Sequence, residues 1–166
     1  AGKEEPVDAD TVFQIASVSK SLTGTVIAKA VSDGLVTWDT PVRELLPGFA
    51  LGDPYVTDHG TIGDYMSHRS GLYTGAGDDL ETLGFDRATV LDRLRLLPLA
   101  PFRSSYNYSN FGITVAGEAT AAAAGTSWEQ LAEDTLFEPL GMGSTSFRYD
   151  DYLARADRAT INALVD

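Results

Sequence analysis

Ser17 and Lys20 stand three residues apart in the stretch Phe13-Gln14-Ile15-Ala16-Ser17-Val18-Ser19-Lys20, where an apolar segment turns into a helical pattern. Residues three apart on a helix share a face, so the lysine amine can sit beside the serine hydroxyl. A serine hydroxyl is a poor nucleophile until a neighbouring base takes its proton. A lysine can be that base when burial or nearby cations keep part of it neutral. The same two residues also suit a plain helix start, with the serine as cap and the lysine in solvent, so the pair alone is a weak signal.

A second group lies in Tyr108-Ser109-Asn110, at the mouth of an alanine-rich helical stretch. A phenol can relay a proton to a leaving group, and an amide can hold a substrate carbonyl or order the lysine. The structural alternative is that Tyr108 packs at a helix start while Ser109 or Asn110 caps it. His68 precedes Arg69-Ser70-Gly71-Leu72, but the residues fit a helix end and turn, and no spacing supports a charge-relay triad. His59 and His68 are the only histidines, and no metal-ligand spacing surrounds them, so no catalytic metal is expected. Gly75-Ala76-Gly77 leads into Asp78-Asp79 with neither a phosphate-cradling lysine nor calcium-loop spacing. Asn107-Tyr108-Ser109 matches a glycosylation sequon, but a glycan there would obstruct the proposed site.

The elements that would position these groups are mostly helical. Thr11 to Ile15 reads as a short extended segment. From Ser17 to about Asp33, Val18, Leu22, Val26 and Ala30 recur every four residues and define an apolar helix face, with Ser21, Gly24 and Ala28 small enough for close packing and Gly34 as a stop. Pro41 to Leu46 and Thr61 to His68 read as short helices, the first ended by Pro47-Gly48 and the second by Ser70-Gly71. Gly75 to Gly84, acidic and glycine-containing, reads as a loop. Asp86 can cap a helix carrying Val90, Leu91, Leu94 and Leu97, broken by Pro98 and Pro101. Ser109 to Ala124 is the clearest later helix, stopped by Gly125. Thr126 and Glu129 suggest a capping box for a helix to about Phe137. From Arg148 onward the polar sequence gives no clear element.

The chain has 166 residues, 43% of them hydrophobic, which suffices for one domain with a core. Its net charge of -12 repels phosphate backbones and anionic membrane surfaces, so no nucleic-acid partner is expected. The absence of cysteine excludes disulfides, thiolate metal sites and a cysteine nucleophile. No apolar run approaches the length of a membrane span. The sixteen aromatic residues have no basic patch around them, and core packing is their default role.

Taken together, these stretches resemble the serine β-lactamase and penicillin-binding protein superfamily, and within it the class C β-lactamase-like branch of D,D-peptidases, D-aminopeptidases and esterases. TVFQIASVSKSLTG is similar to the nucleophile segment, with Ser17 and Lys20 in the S-x-x-K positions. YSN is similar to the Y-x-N element, with Tyr108 and Asn110 facing the cleft. SHRSGL resembles the H-T-S-G-L turn, with Arg69 where threonine is usual, and LFEPLGMGSTSF resembles the P-L-G-M-x-x-T stretch at Pro139 to Thr145. The approach APFRSSYNYSN departs from the Pro-Gly pair of many relatives. Four motifs in order span Phe13 to Phe147.

The resemblance implies acyl transfer through a Ser17 acyl-enzyme on an amide, ester or β-lactam. In that scheme Lys20 and Tyr108 are catalytic, Asn110 binds substrate, and no cofactor is needed. The alternative is a penicillin-binding sensor without turnover, or an inactive scaffold. It implies a helical lobe of an α+β fold whose antiparallel sheet is largely absent from this sequence, along with the third motif on an edge strand. Residues 1–166 are then expected to form a partial domain, mainly α, inactive alone and completed by a complementing N- or C-terminal fragment. The sheet-facing side of the helical core should be exposed. Kinship leans toward a periplasmic or secreted setting over a cytoplasmic one.

Overall fold

The computed structural model describes residues 6–160. Its architecture is helical, as expected: among the described residues the only β pairing is two isolated bridges, Val12 with Arg158 and Pro41 with Thr61. The helices are α1 (Ser19–Ser32), α2 (Val42–Leu45), α3 (Pro54–His59), α4 (Ile62–Met66), α5 (Asp78–Thr82), α6 (Arg87–Arg93), α7 (Asn110–Ala124), α8 (Trp128–Ala132) and α9 (Tyr149–Ala154). Helix α7 is the central post, packed on α4, α2, α1 and α8. Its Val115, Ala116 and Ala119 are fully buried, as are Val26 and Ile27 of α1. Small residues let the post be approached closely. A Cβ on Gly117 would come within 3.2 Å of the Trp128 ring, so α8 can lie directly on α7 there.

Local chemistry explains most of the boundaries. Thr61 and Asp64 form a reciprocal capping box at α4, and Asp86 caps α6 by accepting from the Thr89 N–H. Ser109 caps α7 by accepting from the Gly112 N–H at 3.0 Å, and Gly125 ends that helix in a left-handed conformation. Glu133–Phe137 continues α8 as a π-helical segment, carrying the helix to Phe137 as the pattern predicts.

Four expectations change, and one further helix was not anticipated. Thr11 to Ile15 does not form a strand; Val12 alone pairs, its N–H donating to Asp157 and its carbonyl accepting from Ala159. Gly75 to Gly84 is not a simple loop, since α5 occupies Asp78–Thr82 after a left-handed Gly77. The cap of α8 is Ser127, one residue later than Thr126, with its side chain accepting from the Gln130 N–H. Val18 lies 64% exposed because the first turn is a 3-10 turn over Ala16–Val18, which rotates it off the face formed by Val26 and Ala30. Helix α3 was missed, although Asp53 before Pro54 is a strong start: the Asp53 carboxylate accepts from the Tyr55 and Val56 N–H groups.

One buried ion pair fastens the irregular segment after α6 to α4. The Asp64 side chain is 3% exposed, and Arg103 donates to both its oxygens at 2.8–3.0 Å. Arg103 also donates to the His59 carbonyl at 3.1 Å, and its φ of +61° is strain that this clamp holds in place. Burial raises the Asp64 pKa, but hydrogen bonds from Arg103 and Thr61 outweigh it and leave the carboxyl below the usual aspartate range. That stabilisation is present above the unfolded aspartate pKa of about 4 and is lost as pH falls through the lower folded value. Arg103→Ala should therefore cost about 2 kcal/mol at pH 7, because the buried carboxylate loses its main charged donor and keeps only Thr61 and the more distant Arg69. Urea denaturation at pH 7 and pH 3 checks this: the difference between wild type and variant should shrink at the lower pH.

Candidate active site

Two helix starts meet at the site. The 3-10 turn Ala16–Val18 leads into α1 and presents Ser17 on its exposed side, next to Ala16 in a left-handed conformation with φ of +45°. Neither that turn nor α1 takes a capping bond from a side chain, so the Ser17 hydroxyl is not spent as a cap. It lies 2.6 Å from the Tyr108 hydroxyl, across 91 residues of sequence, and the Lys20 ammonium donates to it at 3.1 Å. Lys20 Nζ also stands 4.8 Å from the Tyr108 ring centroid. Lys20 thus faces the serine and the phenol, and the solvent-pointing alternative does not describe it.

The Tyr108 segment is held by a ladder of backbone bonds to the turn after α4. Arg103 N–H donates to the Arg69 carbonyl, Ala100 N–H to Gly71, Asn107 N–H to His68, and Gly75 N–H to Tyr108 itself. Arg69, where the resemblance anticipates threonine, leans back on α4 through Ser67 and sits 3.7 Å from Asp64. Asn107 is half-buried and bonded to Ser105, an arrangement in which its amide serves the loop. His68 keeps away from Ser17. Its Nδ1 accepts the Ser109 N–H at 3.1 Å, and its ring lies 4.8 Å from that of Tyr108. Burial first, and then the positive charge of Lys20, push His68 below its ordinary value, which favours the neutral ring this bond requires. His68 is a support for the Tyr108 turn that the sequence did not identify as such.

Ser109 caps α7, which leaves Asn110 on its first turn free to face Lys20 across a cavity of about 330 Å³, lined also by Thr23, Glu81, Thr114 and Trp128. The Asn110 amide N–H donates to Asp78 at 3.1 Å. Among the described residues no group of three or more histidine, cysteine, aspartate or glutamate side chains could hold a metal ion, and no helix is long and apolar enough to cross a membrane.

Ser17 thus lies within hydrogen-bonding reach of both an amine and a phenol, on a helical body without a sheet among the described residues. The chain belongs to the Beta-lactamase family, whose sequence profile matches residues 1–165. It is 34% identical over 142 residues to Penicillin-binding protein 4 of Amycolatopsis lactamdurans, covering 82% of this chain and 36% of that protein. It is 35% identical over 160 residues to Unguisins hydrolase ungD of Aspergillus violaceofuscus, covering 89% and 28% respectively. The fold superposes on a class C beta lactamase with a TM-score of 0.75 at 25% identity, covering 93% of this chain and 42% of that one. The chain spans about a third of the length of these curated relatives.

The hydrogen bond from Lys20 and then that of Ser17 hold the Tyr108 phenol below the usual tyrosine value of about 10. Removing the first should release it. In Lys20→Met, Tyr108 should titrate at higher pH than in the wild type, read from the rise of phenolate absorbance with Tyr108→Phe as the blank. An unchanged Tyr108 titration would show that the lysine does not set the charge of the phenol.

Proposed function

We propose that this chain carries the nucleophile half of a β-lactamase-like serine hydrolase, and that the whole protein acts by acyl transfer on an amide, ester or β-lactam. The Ser17–Tyr108–Lys20 cluster supports the reading most directly. In the proposed first step Lys20 acts in its uncharged form: the Ser17 oxygen bonds to the substrate carbonyl carbon while its proton passes to the Lys20 amine. The Tyr108 hydroxyl relays a proton to the departing nitrogen or oxygen as the carbon–heteroatom bond breaks. Asn110 steadies the substrate or Lys20, and the Ser17 N–H is one donor to the developing oxyanion. In the second step water displaces Ser17 from the acyl group and the protons return. No cofactor takes part.

For the isolated chain the stronger reading is the alternative: a penicillin-binding body that does not turn over, or an inactive β-lactamase-like scaffold. The described residues hold no sheet from which a second oxyanion donor could come, and one of the relatives is itself named a penicillin-binding protein. Phe13, Ile15 and Val18, which flank Ser17, are 42–64% exposed. An apolar row beside a reactive serine suits a lobe that the rest of a larger protein covers, and we take residues 1–166 as that partial domain. The partners are accordingly a small-molecule or peptide substrate and the complementing fragment. Kinship favours a periplasmic or secreted setting.

Intact mass spectrometry with a penicillin tests both halves of the proposal. The full-length protein should gain the mass of one opened penicillin at Ser17, and Ser17→Ala should abolish the adduct and reduce hydrolysis by about a million-fold. Residues 1–166 alone should show no turnover. Unchanged turnover in Ser17→Ala would overturn the nucleophile assignment.

A further inference from the structure

The sequence Gly75-Ala76-Gly77-Asp78 fits neither a phosphate nor a calcium loop, and the structure gives it another use. Gly75 and Gly77 have φ of +79° and +92°, and a Cβ on Gly77 would meet Phe111 and Val90 at 2.7 and 2.8 Å. The turn is therefore pressed against α6 and α7, with no room for a side chain at Gly77. It is also tied to the site, since the Gly75 N–H donates to the Tyr108 carbonyl at 3.3 Å. Asp78 comes next and opens α5. One of its carboxylate oxygens, Oδ2, accepts from the Asn110 amide at 3.1 Å, while the other, Oδ1, is buried without a hydrogen-bond partner.

A buried acceptor left unpaired has lost its water without a hydrogen bond in return. Such a cost is tolerated where the position of the group matters more than its own satisfaction. An asparagine amide has a donor end and an acceptor end that differ little in shape, and rotation by half a turn exchanges them. An ionised carboxylate accepts only, so beside Asp78 the donor end is the one that fits. We infer that Asp78 is a positioning residue: by taking the Asn110 amide N–H from a rigid turn, it fixes the polarity that Asn110 presents to the cavity shared with Lys20. The Asn110 carbonyl oxygen is then turned away from Asp78, available to the Lys20 ammonium or to an N–H of a bound acyl group. The negative charge of Asp78 also acts against Lys20 on Tyr108, pushing the phenol up while Lys20 and Ser17 pull it down. The consequence for acylation rests on the Ser17 reading above; the orientation of Asn110 does not.

The two can be tested apart in the full-length protein. The side-chain amide signals of Asn110, assigned with Asn110→Ala, report the hydrogen bond by NMR whatever the enzyme does. Asp78→Ala should move one of the two amide protons toward its random-coil position and speed its exchange with water. Asp78→Asn keeps the shape but can also donate, so it should give a smaller change of the same kind, and it serves if the alanine variant does not fold. Acylation by a chromogenic cephalosporin is the second readout. Asp78→Ala should slow it roughly 10-fold or more in the wild-type background and have little effect in Asn110→Ala, because the two residues act as one unit. Unchanged Asn110 amide signals, or an Asp78 effect of equal size with and without Asn110, would overturn the inference. Labelling that survives Ser17→Ala alongside shifted amide signals would sink the nucleophile reading and leave the positioning of Asn110 standing.

Discussion

The contact between the hydroxyls of Ser17 and Tyr108, 2.6 Å apart and 91 residues apart in sequence, sets the tolerance for everything around it. Each group sits just ahead of a helix, Ser17 before α1 and Tyr108 before α7. A short hydrogen bond between two such turns survives only if the helices cannot slide, and α1 and α7 are the elements with the most deeply buried small and β-branched residues. Val26 and Ile27 on one side and Val115, Ala116 and Ala119 on the other are fully buried, and close packing of such residues resists a shift of either helix. The packing of the lobe and the geometry of the site are thus one constraint seen at two distances.

Charge is arranged with the same economy. Lys20 is the cation nearest the serine and the phenol, and it lowers Tyr108 and His68 together. For Tyr108 this favours the anion; for His68 it favours the neutral ring, which can then accept the Ser109 N–H. That one bond holds the turn between the phenol and the α7 cap. Farther back, Asp64 and Arg103 tie the segment leading to Tyr108 onto α4, with the carboxylate buried and the guanidinium half exposed. Anchorage that depended on exposed ion pairs would be screened and worth little. The buried carboxylate with its several donors holds the loop far more firmly.

Much of this was legible in the sequence because the signals were local. S-x-x-K on a helix start, the Ser109 cap, the Gly125 stop and the Asp86 cap each depend on residues within one or two turns, and each appears in the structure. What the sequence hid was set by distant partners. His68 looked like the end of a helix, and its role appears only when the segment from Ala100 to Ser109 folds back along it. Asp78 lay in a stretch whose glycines suggested a loop, and α5 forms there because Gly77 can nest against Phe111 and Val90 from other helices. The misplaced cap of α8 has a smaller cause: Thr126 and Ser127 are adjacent capping residues, and the seating of Trp128 over Gly117 selects the second.

The position of the serine also follows from the shape of the lobe. Ser17, Lys20 and Tyr108 do not lie inside the helical core. They lie at its margin, where Phe13, Ile15 and Val18 leave apolar surface open beside Ser17. A core that closed over these residues would bury the hydroxyl beyond the reach of a substrate. A lobe that left them bare would expose an apolar row with nothing to gain from it. On the proposed reading, a second body meeting the lobe along this row would resolve both demands, because it would cover the apolar residues and leave a cleft at the seam. The same seam is where a backbone donor can approach the oxyanion from the side opposite Ser17, a placement that a single helical lobe cannot provide from its own turns. On that reading the Ser17 hydroxyl sits at the boundary because the proposed chemistry needs walls from both sides.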